Sequence, residues 1–357
     1  MGIKICRTAL CCNIEEEKEN TNNQFDIKLY PENKINIKKK RNYGFENIMN
    51  DCFMNASLQL LTHEESLIEE IININESKIN KNTPGKGKLI LEFKKLIDEI
   101  NKNKKLINPR GVKTIMGLID KKYKTEEQQD SNEFINTFLM EIHDEINQPR
   151  ESKPFNIPKN NEEREVYLNF WNKFYKKNNS FIIDLFHGIF KDEVKCIKNH
   201  KLNIKFRIFN MIELPIIEFI SNDKIYLNDI LNQFFREKNF NKTKNCPECK
   251  TTNNYYRKTS IYSLPPLLLL FFNRVVDDKY YYNNIIYDEK LKIKDLIKGE
   301  NNYQLIGLIE HRGSANSGHY TAICNNNYSW YKYNEQSYYK INNIQSENAI
   351  ILLYKRK

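Results

Sequence analysis

The chain changes hydrophobic period along its length, and each change marks a new part. From Cys52 to Leu61, CFMNASLQLL, apolar positions recur with no helix breaker, which predicts a helix beginning near Cys52 with Asp51 at its N-cap. Leu67–Ile74 and Leu89–Ile100 repeat the helical spacing, separated by a loop built on Thr83-Pro-Gly-Lys-Gly. Phe134, Phe138, Leu139, Ile142 and Ile146 line one stripe, which predicts an amphipathic helix over 126–146. Asp130 stands at its N-cap, and Glu133 completes a capping box; the competing role for these two carboxylates is to receive a cationic peptide. Beyond residue 180 the period shortens to two, and FIIDLFHGIFKDEVKCIKNHKLNIKFRIF reads as strands. The run SLPPLLLLFFNRV, 263–275, predicts a fully buried strand. Tyr303–Ile309 reads as another strand, Arg312–Gly318 as a loop, and His319 as the opening of a strand that runs to Cys324. A turn about the Asn326–Asn327 bond sets His319 directly opposite Asn334 on the returning strand.

Composition narrows the class. At 357 residues, with 40% hydrophobic and 29% charged, the chain is long enough for a large core in two or three lobes. The net charge of +10 reads as a compositional bias in lysine. No Lys/Arg block is interleaved with stacking aromatics as in a nucleic-acid module, so no nucleic acid is expected as a partner. The eight cysteines form no evenly spaced framework, which points to a reducing, cytoplasmic compartment. No apolar run reaches the roughly 18–20 residues that span a bilayer.

The first forty residues stand apart. Residues 13–40 are polar, charged and Asn-rich, and read as a flexible linker. Ahead of them, MGIKICRTALCC places Gly2 at the acceptor position for N-myristoylation, with Cys6 where a Ser or Thr is usual. Cys6, together with Cys11 and Cys12, is a palmitoylation candidate, and two acyl chains hold a protein on a membrane surface where one does so marginally. The alternative is a tail with incidental thiols.

Two places carry chemistry. A thiol on the first turn of a helix feels the positive end of the backbone dipole, which favours the nucleophilic thiolate at Cys52. Asn334 facing His319 can hold one imidazole nitrogen and leave the other for a nucleophile. Cys246-Pro-Glu-Cys249 has the spacing of a zinc knuckle, and Cys196 with His200 offers a second pair of ligands for a structural zinc.

Taken in order, these parts resemble the ubiquitin-specific protease family, papain-like cysteine proteases that remove ubiquitin. NIMNDCFMNASLQ, 47–59, resembles its Cys box; QQDSNEF, 128–134, its QQDAxEF helix; Gly318-His319-Tyr320 with WYKYNE, 330–335, its His box. The resemblance implies an α+β, thumb–palm–fingers right-hand architecture: thumb about 42–180, zinc-ribbon-like fingers about 181–262, palm about 263–357. It implies a Cys52–His319–Asn334 triad, Asn47 as oxyanion donor, and Asp130, with Glu133, as acids for the basic tail of ubiquitin. It also implies that Phe53 and Tyr320 line a narrow channel for the Gly-Gly end. Ubiquitin or ubiquitinated proteins are the expected partners of a monomeric enzyme. Met49, Asp51, His200 and Glu335 depart from the family's usual Gly, Thr, Cys and Asp; His200 lies one position late. Two rival readings follow: a ubiquitin-binding scaffold without turnover, and a protease for another ubiquitin-like modifier.

Overall fold

The computed structural model describes residues 42–149, 153–219, 221, 223–276, 279–293, 302–314 and 317–357. Gly2, Cys6 and the linker expected over 13–40 lie outside them.

Five helices come first: α1 (Cys52–Thr62), α2 (Glu65–Ile72), α3 (Leu89–Asn101), α4 (Arg110–Ile119) and α5 (Ser131–Ile146). Every residue of α1 is buried. Two of its buried polar side chains donate to carbonyls, Ser57 to Phe53 at 2.7 Å and Asn55 Nδ2 to Glu46 at 3.1 Å. Helix α3 has no side-chain cap of its own. Buried Glu145 of α5 takes that place, accepting from the backbone N–H groups of Leu89 (3.0 Å) and Ile90 (2.7 Å). The capping box expected at α5 does not form: Asp130 occupies the N-cap position without a capping bond. Glu133 pairs instead with Lys122 at 2.7 Å.

Two more helices follow, α6 (Asn161–Phe174) and α7 (Phe181–Phe186). The stretch at α7 was expected to be a strand. Ser180 accepts from the Ile183 N–H at 3.3 Å and caps a helical turn there, so the strand starts only at Gly188. The middle of the chain then supplies β1 (Gly188–Cys196), β2 (Lys201–Phe209), β3 (Met211–Pro215), α8 (Leu227–Phe234), β4 (Lys238–Cys246), β5 (Thr251–Ser263) and β6 (Leu267–Asn273). The single strand expected over 263–275 is interrupted. Ser263 ends β5, and Pro265 and Pro266, which cannot donate to a ladder, delay β6 to Leu267. The last third adds β7 (Lys290–Lys292), β8 (Asn302–Gly313), β9 (Gly318–Asn326), β10 (Ser329–Asn334), β11 (Ser337–Ile341) and β12 (Ala349–Arg356).

These strands make two large sheets. One is four-stranded and antiparallel, in the order β2-β1-β5-β4. The other has eight strands, ordered β11-β10-β9-β8-β12-β6-β3 with β7 against β8. In the larger sheet β6 is apolar at successive positions because it is covered on both faces. Leu267 and Leu269 enter the core shared with α1 and α5, while Leu268, Leu270 and Phe272 enter a second core with α8.

Candidate active site

The site forms where α1 meets the open end of the β9–β10 hairpin. Cys52 is the first residue of α1 and is buried. His319, at the start of β9, places Nε2 2.7 Å from Asn334 Oδ1 at the end of β10. Nε2–H donates to that oxygen, which leaves Nδ1 for a second partner. Interaction with Cys52, outweighing burial and helped by Asn334 and Glu335, lifts the His319 imidazole to about 9.

The strand register behind this geometry differs from the expected one. The chain turns at Asn327–Tyr328, Asn326 pairs with Ser329, and Ala322 pairs with Tyr333. Continuing the ladder puts Asn334 opposite Thr321, two residues from His319. A shift of two residues keeps both side chains on one face, so the dyad meets diagonally. Arg312 and Gly313, expected in the loop, extend β8 and pair with His319 and Gly318.

Around the dyad, Asn47 donates from Nδ2 to Glu335 Oε1 at 2.7 Å and accepts from the Asp51 N–H at 3.4 Å. Asp51 does not cap α1. Its buried carboxylate pairs with Lys113 at 2.6 Å; burial pushes its pKa up against the pull of that lysine. Asp130 accepts from the Tyr320 hydroxyl at 3.1 Å, and the Gly318 N–H donates to Gln128 Oε1 at 2.8 Å. The residues that lead into α5 and the sheet are thus bonded to each other beside His319. The Phe53 ring is buried and packs edge-on to Phe134 and stacked on Tyr123, because the second residue of α1 points into the helical core.

At the far end of the four-stranded sheet, the side chains of Cys196, His200, Cys246 and Cys249 bring their ligand atoms within 4.8 Å of one another. Cys196 Sγ lies 3.8 Å from Cys249 Sγ, and His200 Nδ1 lies 3.7 Å from Cys246 Sγ and 3.0 Å from Cys249 Sγ. Thiolates about 2.3 Å and an imidazole about 2.0 Å from a tetrahedral zinc would sit at closely similar separations. The late position of His200 is absorbed by Asn199, whose φ of 64° lets the chain fold back so that Cys196 N–H meets the His200 carbonyl at 3.0 Å.

Residues 43–354 match the family model described as ubiquitin carboxyl-terminal hydrolase. The chain belongs to this family. Among curated relatives, the hydrolase Usp2 of Drosophila melanogaster is 27% identical over 330 residues, covering 88% of this chain and 34% of its own. Ubiquitin carboxyl-terminal hydrolase 4 of Saccharomyces cerevisiae is 25% identical over 361 residues, covering 88% and 39%. The chain therefore spans about a third to two fifths of the length of these relatives. Of solved structures, the SAGA Ubp8/Sgf11/Sus1/Sgf73 DUB module bound to ubiquitin aldehyde has the same fold, with TM-score 0.71 at 21% identity over 90% of this chain and 70% of that one.

Three residues of this hydrolase-family site escaped sequence reasoning. His311, buried opposite Tyr320 with ring centroids 4.4 Å apart, had no spacing signal of its own. Lys113 lies 62 positions from Asp51, so nothing local announces their pairing. Gln128 stood inside a recognised box, but its bond to Gly318 depends on how two distant segments meet.

Proposed function

We propose that the chain is a thiol-dependent deubiquitinase that hydrolyses the peptide or isopeptide bond at the C-terminal glycine of ubiquitin. The His319–Asn334 hydrogen bond, together with the interaction of His319 with Cys52, carries this reading. His319 takes the thiol proton through Nδ1, the Cys52 sulfur attacks the glycine carbonyl, and the same imidazolium passes its proton to the departing lysine amine. Water then cleaves the thioester and restores the thiol. Asn334 keeps Nε2 protonated and the ring in place, the Cys-His-Asn form of the triad. Asn47 Nδ2 is the candidate donor to the developing oxyanion, a role in which it exchanges Glu335 for the substrate oxygen. Asp130, steadied by Tyr320, faces the cleft as the acid for a basic tail. Cys196, His200, Cys246 and Cys249 would hold a zinc ion whose contribution is to the fold of the four-stranded sheet. In support, related structures are bound to monoubiquitin or ubiquitin aldehyde.

The test is mass-spectrometric labelling by ubiquitin bearing a C-terminal electrophile. Wild type is expected to gain one covalent ubiquitin, and Cys52→Ala none. Binding of ubiquitin without adduct at saturating probe would overturn the enzyme reading in favour of a scaffold. An adduct only with another modifier's tail would reassign the substrate.

A further inference from the structure

The +10 charge is not a bias spread along the chain, as its composition first suggested. Residues 188–209 and 238–263, which make the four-stranded sheet, hold twelve of the 56 Lys and Arg but only three of the 46 Asp and Glu. That is +9 of the net charge, and the remaining sequence is almost neutral.

The sheet's two faces differ. On one, Ile204, Phe206 and Tyr262 pack against Tyr167 and Trp171 of α6. Two cations of this side are paired with acids, Lys191 with Glu163 and Glu193, and Lys201 with Glu162 and Glu163, while Lys258 stands across the ladder from Glu193. The strand registers assign Lys205 and Arg207 of β2, Arg257 of β5, and Lys238 and Lys244 of β4 to the opposite face. There Arg207 pairs with Asp192, the one acidic side chain that the registers place on this face; Lys205 stands directly across the ladder from Asp192, and the charge of Arg257 also acts on that carboxylate. Lys205, Arg257, Lys238 and Lys244 are exposed. Lys238 stands directly across the ladder from Arg257, and like charges so placed repel each other. Lysines on edge strands discourage stray pairing, but that protection works with either sign on either face, and Arg257 lies on an inner strand. At its other end this second face is covered, since Phe190, Phe209 and Ile261 are buried with α8 in the second core. Folding accounts for the neutralised face and for this covered end, and leaves the exposed cations unexplained.

We propose that the exposed, cationic part of this face is a docking surface for an acidic region of the folded protein that carries the ubiquitin. Asp192 among the cations suits a protein surface, which brings its own basic groups, better than a uniform polyphosphate. The cleft, with Asp130, reads a basic tail; this face, of opposite sign, reads the target. Naming the partner as the ubiquitin-bearing target rests on the deubiquitinase reading, whereas binding of an acidic surface does not.

Binding is measured by fluorescence anisotropy with the Cys52→Ala protein and three probes: free ubiquitin, ubiquitin joined through its C-terminal glycine to a strongly acidic folded carrier, and the same fusion with the carrier neutralised. The acidic fusion is expected to bind about tenfold more tightly than the neutral one at low salt, and the gap to close at high salt. Combined Lys205→Glu, Lys238→Glu and Lys244→Glu substitutions are expected to abolish the gap and leave the affinity for free ubiquitin unchanged. The same three positions changed to Gln narrow the gap and decide the matter if the reversal variant does not fold. A gap that survives these substitutions overturns the proposal. So does a parallel loss of affinity for free ubiquitin, which would assign the face to ubiquitin itself, or tighter binding of single-stranded RNA or anionic vesicles than of the acidic fusion. Cleavage of the neutral fusion by wild type tests the hydrolase reading separately.

Discussion

In the proposed mechanism His319 is the residue on which the chemistry turns, and its environment fixes how pH acts on it. Interaction with Cys52 raises its pKa from 6.5 to about 9, against burial and with help from Asn334. A group held protonated by the folded state stabilises that state below its ordinary pKa, and the contribution is lost as pH rises through the raised one. The imidazolium that hands its proton to the leaving amine therefore persists to about pH 9, and the rate should fall on the alkaline side of that value. Asn334→Ala removes one of the bonds that hold the raised value. It is expected to move the alkaline limb of the kcat/KM profile to lower pH and to cut kcat by about 10²-fold. The check is hydrolysis of a ubiquitin–fluorophore conjugate across pH 6–10; an unmoved limb in the variant would show that Asn334 does not hold the ring.

Among the elements, the β9–β10 hairpin shows how far local signals reach. The sequence offers Asn325-Asn326-Asn327, and Asn-Asn is a natural choice for a tight turn. The chain instead turns at Asn327 and Tyr328, with φ of 50° and 62°. Asn326 is unavailable because it is buried and donates to Asn42 at 2.6 Å, a contact 284 residues away in sequence. A tertiary bond overrides the local preference and moves the turn, yet the pairing parity survives, so the facing of His319 and Asn334 was legible where the register was not. Helix α7 was misread for the opposite reason: its apolar run fits either period, and only the Ser180 cap decides. Tyrosine is a poor occupant of the left-handed region. Since Tyr328 is fully exposed, Tyr328→Gly removes strain without removing buried contacts. It is expected to raise the melting temperature by about 1–2 °C. A fall in the thermal melt would mean the Tyr328 ring contributes more than its backbone costs.

At the scale of the molecule, the proposed nucleophile and its proposed base come from different layers, and their juxtaposition depends on how α1 lies on the large sheet. Sequence motifs name Cys52, His319 and Asn334 because each sits in a short box; they cannot show what keeps the boxes together, since those bonds join segments hundreds of residues apart. One such tie is at Tyr333, the neighbour of Asn334. Its hydroxyl lies 2.7 Å from Asn42 Oδ1 and 2.9 Å from His63 Nε2, just beyond the end of α1, and its ring lies 4.8 Å from the imidazole. Tyr333→Phe keeps the ring and removes the oxygen, leaving buried polar groups of both layers short of a partner at a cost of about 1–3 kcal/mol. The expected result is a melting temperature lower by about 2–6 °C. KM should be unchanged and kcat should drop less than threefold, because Asn334 keeps its own bond to His319 and β10 stays paired with β11. Thermal melts and steady-state kinetics on the same preparation separate the alternatives. A large loss of kcat at unchanged melting temperature would make Tyr333 part of the catalytic positioning of Asn334 instead of a bond between layers.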